Sequence, residues 1–176
     1  MANEMISYLQ QLEILAFFSG YPLLYAVVAY LKSTTKINSS IKNPAFILLP
    51  FAYAIVGILY AGLQLRNLYP DYSIRHISSE IQIPFYVLWA SLSLLFFIPF
   101  FSKRPVISLL HSLVFFYLIV KNFYSQLASA EPDRNILRNF MNVYFDSILL
   151  NTAILIVLLI IYYAIRFLRR RSSFRN

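Results

Sequence analysis

Five long apolar stretches, separated by short polar segments, dominate the pattern of the chain. They cover about residues 12–31, 45–65, 83–101, 106–125 and 146–168. Each has about the 20 apolar residues that an α-helix needs to cross roughly 30 Å of hydrocarbon. The pattern predicts an all-α, polytopic integral membrane protein with five transmembrane helices in a single domain over residues 1–176.

Prolines and turns between the stretches predict where helices begin. Pro44 and Pro105 each follow a polar or basic residue and stand at the start of an apolar stretch. Proline suits the first turn of a helix, where its missing N–H would have no partner anyway. Residues 101–104 form a short connection, so we expect the third and fourth helices to be an antiparallel hairpin.

The two connections on the opposite side have a different pattern. Ile74, Ile77 and Ile81 recur at helical spacing, and residues 136–144 carry an apolar face that leads into the fifth stretch. Both segments predict short amphipathic outer helices that lie at the membrane interface.

Charge distribution predicts the orientation of the helices. The segments after the first, third and fifth stretches hold ten basic residues and no acid: Lys32, Lys36, Lys42, Lys103, Arg104, Arg166, Arg169, Arg170, Arg171 and Arg175. The other side holds five basic residues and all seven acids. By the positive-inside rule, the N-terminus is predicted outside and the C-terminus in the cytoplasm, after an odd number of crossings. The expected location is the plasma membrane, or the inner membrane in a bacterium.

Composition excludes several kinds of site. The chain is 60% hydrophobic and 12% charged, and it contains no cysteine, so no disulfide, thiolate nucleophile or cysteine-ligated metal is available. It has no glycine-rich phosphate loop, G-x-S-x-G or H-E-x-x-H motif. We therefore predict a protein that is not an enzyme, with no catalytic residue, metal or cofactor. Its net charge of +8 lies mainly on one side, which favours lipid rather than nucleic acid as the partner.

A helix break is predicted where Ser19, Gly20 and Pro22 interrupt the first stretch. Pro22 leaves the carbonyl of Phe18 without its usual helical partner. Two interpretations are open. The break is either a kink whose polar groups are satisfied by Ser19 or a neighbouring helix, or a discontinuous helix that binds an ion or substrate.

A helix-packing or partner interface is predicted in the second stretch. Gly57 and Ala61 form a small-xxx-small pair, with Tyr60 and Gln64 near the same stripe. Small residues let helix backbones approach closely in lipid. The pattern leaves open whether the contact lies within this chain or with another protein.

Polar groups in the last two stretches suggest an intramembrane ion pair or path. Lys121 and Asp146 can pair between adjacent helices near the outer interface, and Asn151 adds a polar group. His111 has no convincing second metal ligand and is expected to be a hydrogen-bonded structural histidine. The C-terminal cluster Arg169-Arg170-Arg171 is predicted to be a lipid-headgroup anchor.

The resulting hypothesis is a non-catalytic accessory, scaffold or assembly subunit of a larger membrane complex. Its predicted partners are the lipid bilayer and other membrane subunits or a second copy of the chain. The alternative is a compact transporter or channel in which Lys121, Asp146, Asn151 and the Ser19–Pro22 break line the path.

Overall fold

The computed structural model describes residues 2–34, 43–67, 84–129 and 133–173, and their regular structure is entirely helical. The elements are α1 Ala2–Phe18, α2 Tyr21–Thr34, α3 Pro44–Asn67, α4 Pro84–Ser91, a 3₁₀ helix Leu92–Phe97, α5 Pro99–Ser102, α6 Pro105–Leu127 and α7 Arg134–Ser173. For the described residues, the predicted all-α class is confirmed. Pro44 and Pro105 each open a long helix, as the sequence predicted.

Four of the five predicted stretches form helices that are long and apolar enough to cross a membrane. They are Ser7–Thr34, which contains the junction of α1 and α2, and Pro44–Asn67, Pro105–Leu127 and Arg134–Arg171. The third predicted stretch, 83–101, is instead divided into α4, the 3₁₀ helix and α5. The described residues thus contain four candidate spanning helices, where five were expected.

Local chemistry explains why the third stretch is divided. The Ser91 hydroxyl donates a 2.8 Å hydrogen bond to the Val87 carbonyl, a contact that often bends helices. Further along, Ile98 is extended, with φ −72° and ψ 131°, because the ring of Pro99 disfavours a helical conformation in the residue before it. The 3₁₀ helix therefore ends at Phe97, and a new short turn begins at Pro99.

At the C-terminal end, the predicted short outer helix over 136–144 and the fifth stretch form one continuous helix, α7. Asp133 begins it, since its carboxylate Oδ1 accepts a 2.8 Å hydrogen bond from the Asn135 backbone N–H. No glycine or proline interrupts the following 40 residues, and α7 is about 60 Å long. The other predicted outer helix, around Ile74, Ile77 and Ile81, lies outside the described residues.

Ring contacts give the direction of α3 relative to α1 and α2. The rings of Phe17 and Tyr60 are 5.6 Å apart, and those of Tyr25 and Phe46 are 5.7 Å apart. Residue numbers therefore rise along α1 and α2 while they fall along α3. The two stretches are antiparallel.

Helix α6 is also antiparallel to α1 and α2. The rings of Phe18 and Phe115 stack 4.9 Å apart, and the hydroxyls of Tyr21 and Ser108 are 2.7 Å apart. Because α3 and α6 both oppose the same helices, they run in the same direction. The chain between them must therefore return along the bundle.

The 3₁₀ helix makes this return along α3. Ser93 lies against Gly57, and the rings of Phe96 and Tyr53 are 5.5 Å apart. Residue numbers rise along the 3₁₀ helix as they fall along α3, so the segment is antiparallel to α3. Only Lys103 and Arg104 separate α5 from α6, which is the short hairpin connection that the sequence predicted.

Helix α7 runs in the same direction as α1 and α2, because Tyr8 lies near Phe140 and Gly20 lies near Ser147. The interior of the bundle is aromatic. Fully buried members of this core come from four helices, α1, α2, α3 and α6: Phe18, Tyr21, Tyr53, Tyr60 and Phe115. Their close packing holds the junction of α1 and α2 at the centre of the molecule.

Candidate functional site

The junction of α1 and α2 is a two-residue turn at Ser19 and Gly20, both buried. The Ser19 hydroxyl donates a 2.7 Å hydrogen bond to the Leu15 carbonyl, and the Gly20 carbonyl accepts one of 3.3 Å from the Leu24 N–H. Pro22, at the second position of α2, has no N–H to offer to the Phe18 carbonyl. The helix is thus interrupted at the break while several polar groups of the turn stay bonded.

Helix α7 supplies the remaining contacts to the break. The Gly20 N–H donates to the Ser147 hydroxyl at 2.8 Å, and the Asn151 amide Nδ2 donates to the carbonyls of Phe17 and Ser147, each at 2.8 Å. Ser147 and Asn151 are four residues apart, so they occupy the same face of α7. Both are fully buried. We call Ser19, Gly20, Ser147 and Asn151 the break cluster.

Glycine is required at position 20 by the closeness of α7. A Cβ at Gly20 would lie 2.7 Å from the Ser147 carbonyl carbon and would also collide with the Ile148 backbone. Backbone atoms of a helix cannot move aside as the end of a flexible side chain can. Gly20 therefore allows the two helices to touch at the break.

One acceptor in the break cluster has no partner. Asn151 is 0% exposed, and its Oδ1 has no hydrogen-bond donor among the described residues. Both bonds of its amide group go to carbonyl oxygens, which only accept, so the orientation of the amide follows from its partners. The break cluster can accept one further hydrogen bond, from a water, a hydroxyl or an ammonium group.

Lys121 and Asp146 are not brought to the break cluster. Both side chains are exposed, and the described part of the chain records no ion pair between them. Asn151, in contrast, is buried against Phe17. Asn151 therefore contacts the residues of the Ser19–Pro22 break, and the exposed side chains of Lys121 and Asp146 are not among its hydrogen-bond partners.

The small-residue stripe of α3 packs within this chain. Gly57 is buried against Ser93 of the 3₁₀ helix, and a Cβ at position 57 would collide with the Ser93 hydroxyl. Tyr60 is buried, and its ring lies 5.5 Å from that of Phe18. Gln64 Nε2 donates a long 3.4 Å hydrogen bond to a Glu13 carboxylate oxygen.

Ala61, the second small residue of that stripe, is half-buried. Gly57, Tyr60 and Gln64 thus make their recorded contacts with α1 and the 3₁₀ helix.

His111 is held by side chains from two other helices. Its Nε2–H donates to the Trp89 carbonyl at 2.8 Å, and its Nδ1 accepts from the Tyr53 hydroxyl at 2.7 Å. A carbonyl can only accept, which assigns the ring proton to Nε2. The Trp89 indole N–H donates back to the His111 carbonyl at 3.2 Å, and the two rings stack 4.9 Å apart.

These contacts tie the short α4 to α3 and α6. Both ring nitrogens of His111 are used, as expected for a hydrogen-bonded structural histidine. Its partners are far from it in the sequence, so the pattern of hydrophobic residues alone could not identify them. No group of three histidine, aspartate or glutamate side chains within the described ranges is placed to hold a metal ion.

The C-terminal arginines lie on the exposed end of α7. The Arg171 guanidinium lies 4.6 Å from the centre of the Phe167 ring, a cation–π contact. Arg169 and Arg170 line a groove of about 500 Å³ together with Tyr162, Ile165 and Arg166. The sequence treated the three terminal arginines as one cluster, whereas the structure gives them different surroundings.

Comparison with known proteins found no matching family model, no matching curated protein and no matching solved structure.

Proposed function

We propose that this protein is a non-catalytic integral membrane subunit that packs against a partner helix through the C-terminal half of α7. The observation that carries this proposal is the exposure of that half. Apolar side chains on several sides of the helix are exposed there: Ile156, Val157, Ile160, Ile161, Ile165, Phe167 and Leu168. No side chain of α7 from Ile156 to Arg171 is buried against the rest of the described chain.

Five crossings are part of the proposal. Helices α3 and α6 run in the same direction, so a return across the same thickness is needed between them. The 8 residues of α4 and the 6 residues of the 3₁₀ helix cover about 24 Å together, since a 3₁₀ helix rises about 2.0 Å per residue. Adding the turn of α5 brings the segment close to the hydrocarbon thickness of roughly 30 Å.

The arrangement of charged ends supports the same topology. Helices α1 and α2, the return segment at residues 84–104 and α7 all run in one direction. One end of the bundle therefore carries Lys32, Lys103 and the terminal arginines. That end is proposed to face the cytoplasm, by the positive-inside rule. The proposed location is the plasma membrane, or the inner membrane in a bacterium.

The partner is proposed to be another membrane subunit or a second copy of this chain, and not a nucleic acid. In lipid, helices associate through packing and interhelical hydrogen bonds rather than through hydrophobicity. A partner helix therefore needs a defined stripe on α7. Two such stripes are available, one through Val157, Ile161 and Leu168 and the other through Ile156, Ile160 and Phe167.

Tryptophan scanning tests this proposal in the full-length protein. The protein is extracted in mild detergent, and the mass of the complex is measured before and after single substitutions along each stripe. A partner helix predicts that tryptophan on one stripe lowers recovery of the complex at least about fivefold, while tryptophan on the other is tolerated. A lone monomer, or equal tolerance of both stripes, would contradict the proposal.

Transport is the second candidate, and the observation that favours it is the buried, unpartnered Oδ1 of Asn151 beside the helix break. A donor group that passes through the bundle could bind there in transit. In reconstituted vesicles, transport predicts a flux that Asn151→Leu abolishes with normal expression. Lys121→Gln and Asp146→Asn test whether those two exposed residues belong to the same path.

A further inference from the structure

We infer that Tyr162, Arg166 and Arg170 form a binding site for the phosphodiester headgroup of an anionic phospholipid at the cytoplasmic end of α7. The three residues are spaced four apart, so they form one stripe along the helix. They line the groove of about 500 Å³ described above. We call them the headgroup stripe.

The charge of this stripe is not neutralised by its own helix. No acidic residue follows Asp146 in the sequence, so Arg166 and Arg170 have no carboxylate within a helical turn. Guanidinium groups form paired hydrogen bonds with phosphate oxygens, which gives both energy and orientation. Two arginines on one stripe can therefore hold a single phosphodiester.

The order of residues along the stripe matches a phospholipid at the interface. Tyr162 lies about 6 Å before Arg166 along the helix axis, and Arg170 lies about 6 Å beyond it. Tyrosine places its ring near the hydrocarbon and its hydroxyl near the headgroups. The acyl chains of the lipid would run back past Ile165 and Tyr162, while the phosphate lies between the arginines.

Arg171 provides a matched control within the same cluster. It carries the same charge and lies next to Arg170, but its guanidinium lies against the Phe167 ring. Lipid binding by an unstructured basic anchor would depend only on the number of charges, so Arg166, Arg170 and Arg171 would contribute equally. Lipid binding at a defined site depends instead on which of these arginines is replaced.

This inference rests on the bilayer location in the proposed function but needs no partner subunit. The test uses the full-length protein in detergent with added phosphatidylglycerol, and bound lipid is counted by native mass spectrometry. We expect Arg166→Gln and Arg170→Gln each to lower phosphatidylglycerol occupancy about tenfold, and Arg171→Gln to change it less than about twofold.

Three results would overturn the inference. These are equal losses in all three variants, equal retention of phosphatidylcholine by the unmodified protein, and displacement of the lipid by low concentrations of dimethyl phosphate. The last result would identify a soluble phosphodiester as the ligand. All variants change exposed residues, so unchanged helical circular dichroism is expected to show that folding is intact. Resistance to carbonate extraction tests the bilayer location separately.

Discussion

The stretch that contains the helix break and the C-terminal half of α7 are both apolar in sequence, yet their surroundings differ. In the most apolar 18-residue window of Ser7–Thr34, 56% of the residues are buried in the chain, against 11% in that of Arg134–Arg171. Small polar residues mark the difference. Ser147 and Asn151 face the break, whereas no asparagine or serine occurs in α7 from Thr152 to Arg171.

The comparison teaches that apolar character does not determine where helices in a membrane pack. Lipid tails are as apolar as leucine, so an apolar side chain gains little from leaving lipid for a helix contact. Close packing at small residues and hydrogen bonds between helices decide instead. The break region has both. In α7 from Ile154 to Arg171, Ala164 is the one small residue, so the partner proposed above would supply the small residues of that contact.

The largest expected effect comes from filling the space at the break. Gly20→Ala places a methyl group against the α7 backbone, and we expect it to lower the free energy of unfolding by about 3 kcal/mol. Thermal unfolding in detergent measures the change. Gly62→Ala is the control, because nothing lies within 4 Å of its added Cβ. A similar loss in both variants would show that alanine itself, rather than the helix contact, is responsible.

Removing the amide at the break is expected to have a smaller effect. Asn151→Leu removes the hydrogen bonds to the carbonyls of Phe17 and Ser147, and we expect a loss of about 1 to 2 kcal/mol. Asn142→Leu is the matched control, since Asn142 is exposed on the same helix. If both variants unfold at the same denaturant concentration, the break cluster contributes nothing to stability.

The contact between Gly57 of α3 and Ser93 can be tested with a second substitution that restores stability. Gly57→Ala is expected to cost about 1 kcal/mol, because the added methyl group meets a side chain that can adjust rather than backbone. Ser93→Ala removes the hydroxyl in its way, and that buried hydroxyl has no partner among the described residues. In a double-mutant cycle, we therefore expect the double variant to recover most of the stability that Gly57→Ala loses. If the stability losses of the two single variants simply add in the double variant, the Ser93 hydroxyl is not what makes Gly57→Ala costly.

The smallest effect is expected at the exposed end of α7. Ile160→Ala should change the free energy of unfolding by less than about 0.5 kcal/mol, since its side chain is 62% exposed within the chain. Leu155→Ala, one turn earlier and 4% exposed, should cost about 2 kcal/mol. Urea or detergent titration of the purified monomer compares the two. If Ile160→Ala and Leu155→Ala lower the free energy of unfolding equally, the two parts of α7 do not differ in how they pack within the chain.

Much of the fold follows from local pattern. The apolar stretches predicted five long helices, and four are found among the described residues. Pro44 and Pro105 marked the starts of two of them and the turn before α6. The third stretch was harder because its interruption depends on the Ser91–Val87 contact and on Ile98 before Pro99. Its count of apolar residues gave no sign of a 3₁₀ helix.

The candidate site was predictable only in its separate parts. The interruption at Ser19, Gly20 and Pro22 is visible in the sequence, and so is Asn151 as a polar residue in an apolar stretch. The contact between them is not visible in the sequence, because the hydrogen bond that joins Asn151 to Phe17 links residues 134 positions apart. The grouping of Asn151 with Lys121 and Asp146 rested on their similar depth in the sequence pattern, and it stays a prediction.

By itself, the sequence determined where the four long helices form, and it predicted which end of the bundle carries the excess of positive charge. Helical hydrogen bonds are local and charge is additive, so both properties can be summed along the chain. Only the tertiary structure decided which faces touch, which glycine lies against a backbone and which polar atoms find partners. Contacts of that kind depend on distances of a few ångströms between distant residues, and lipid offers apolar side chains no preference among them.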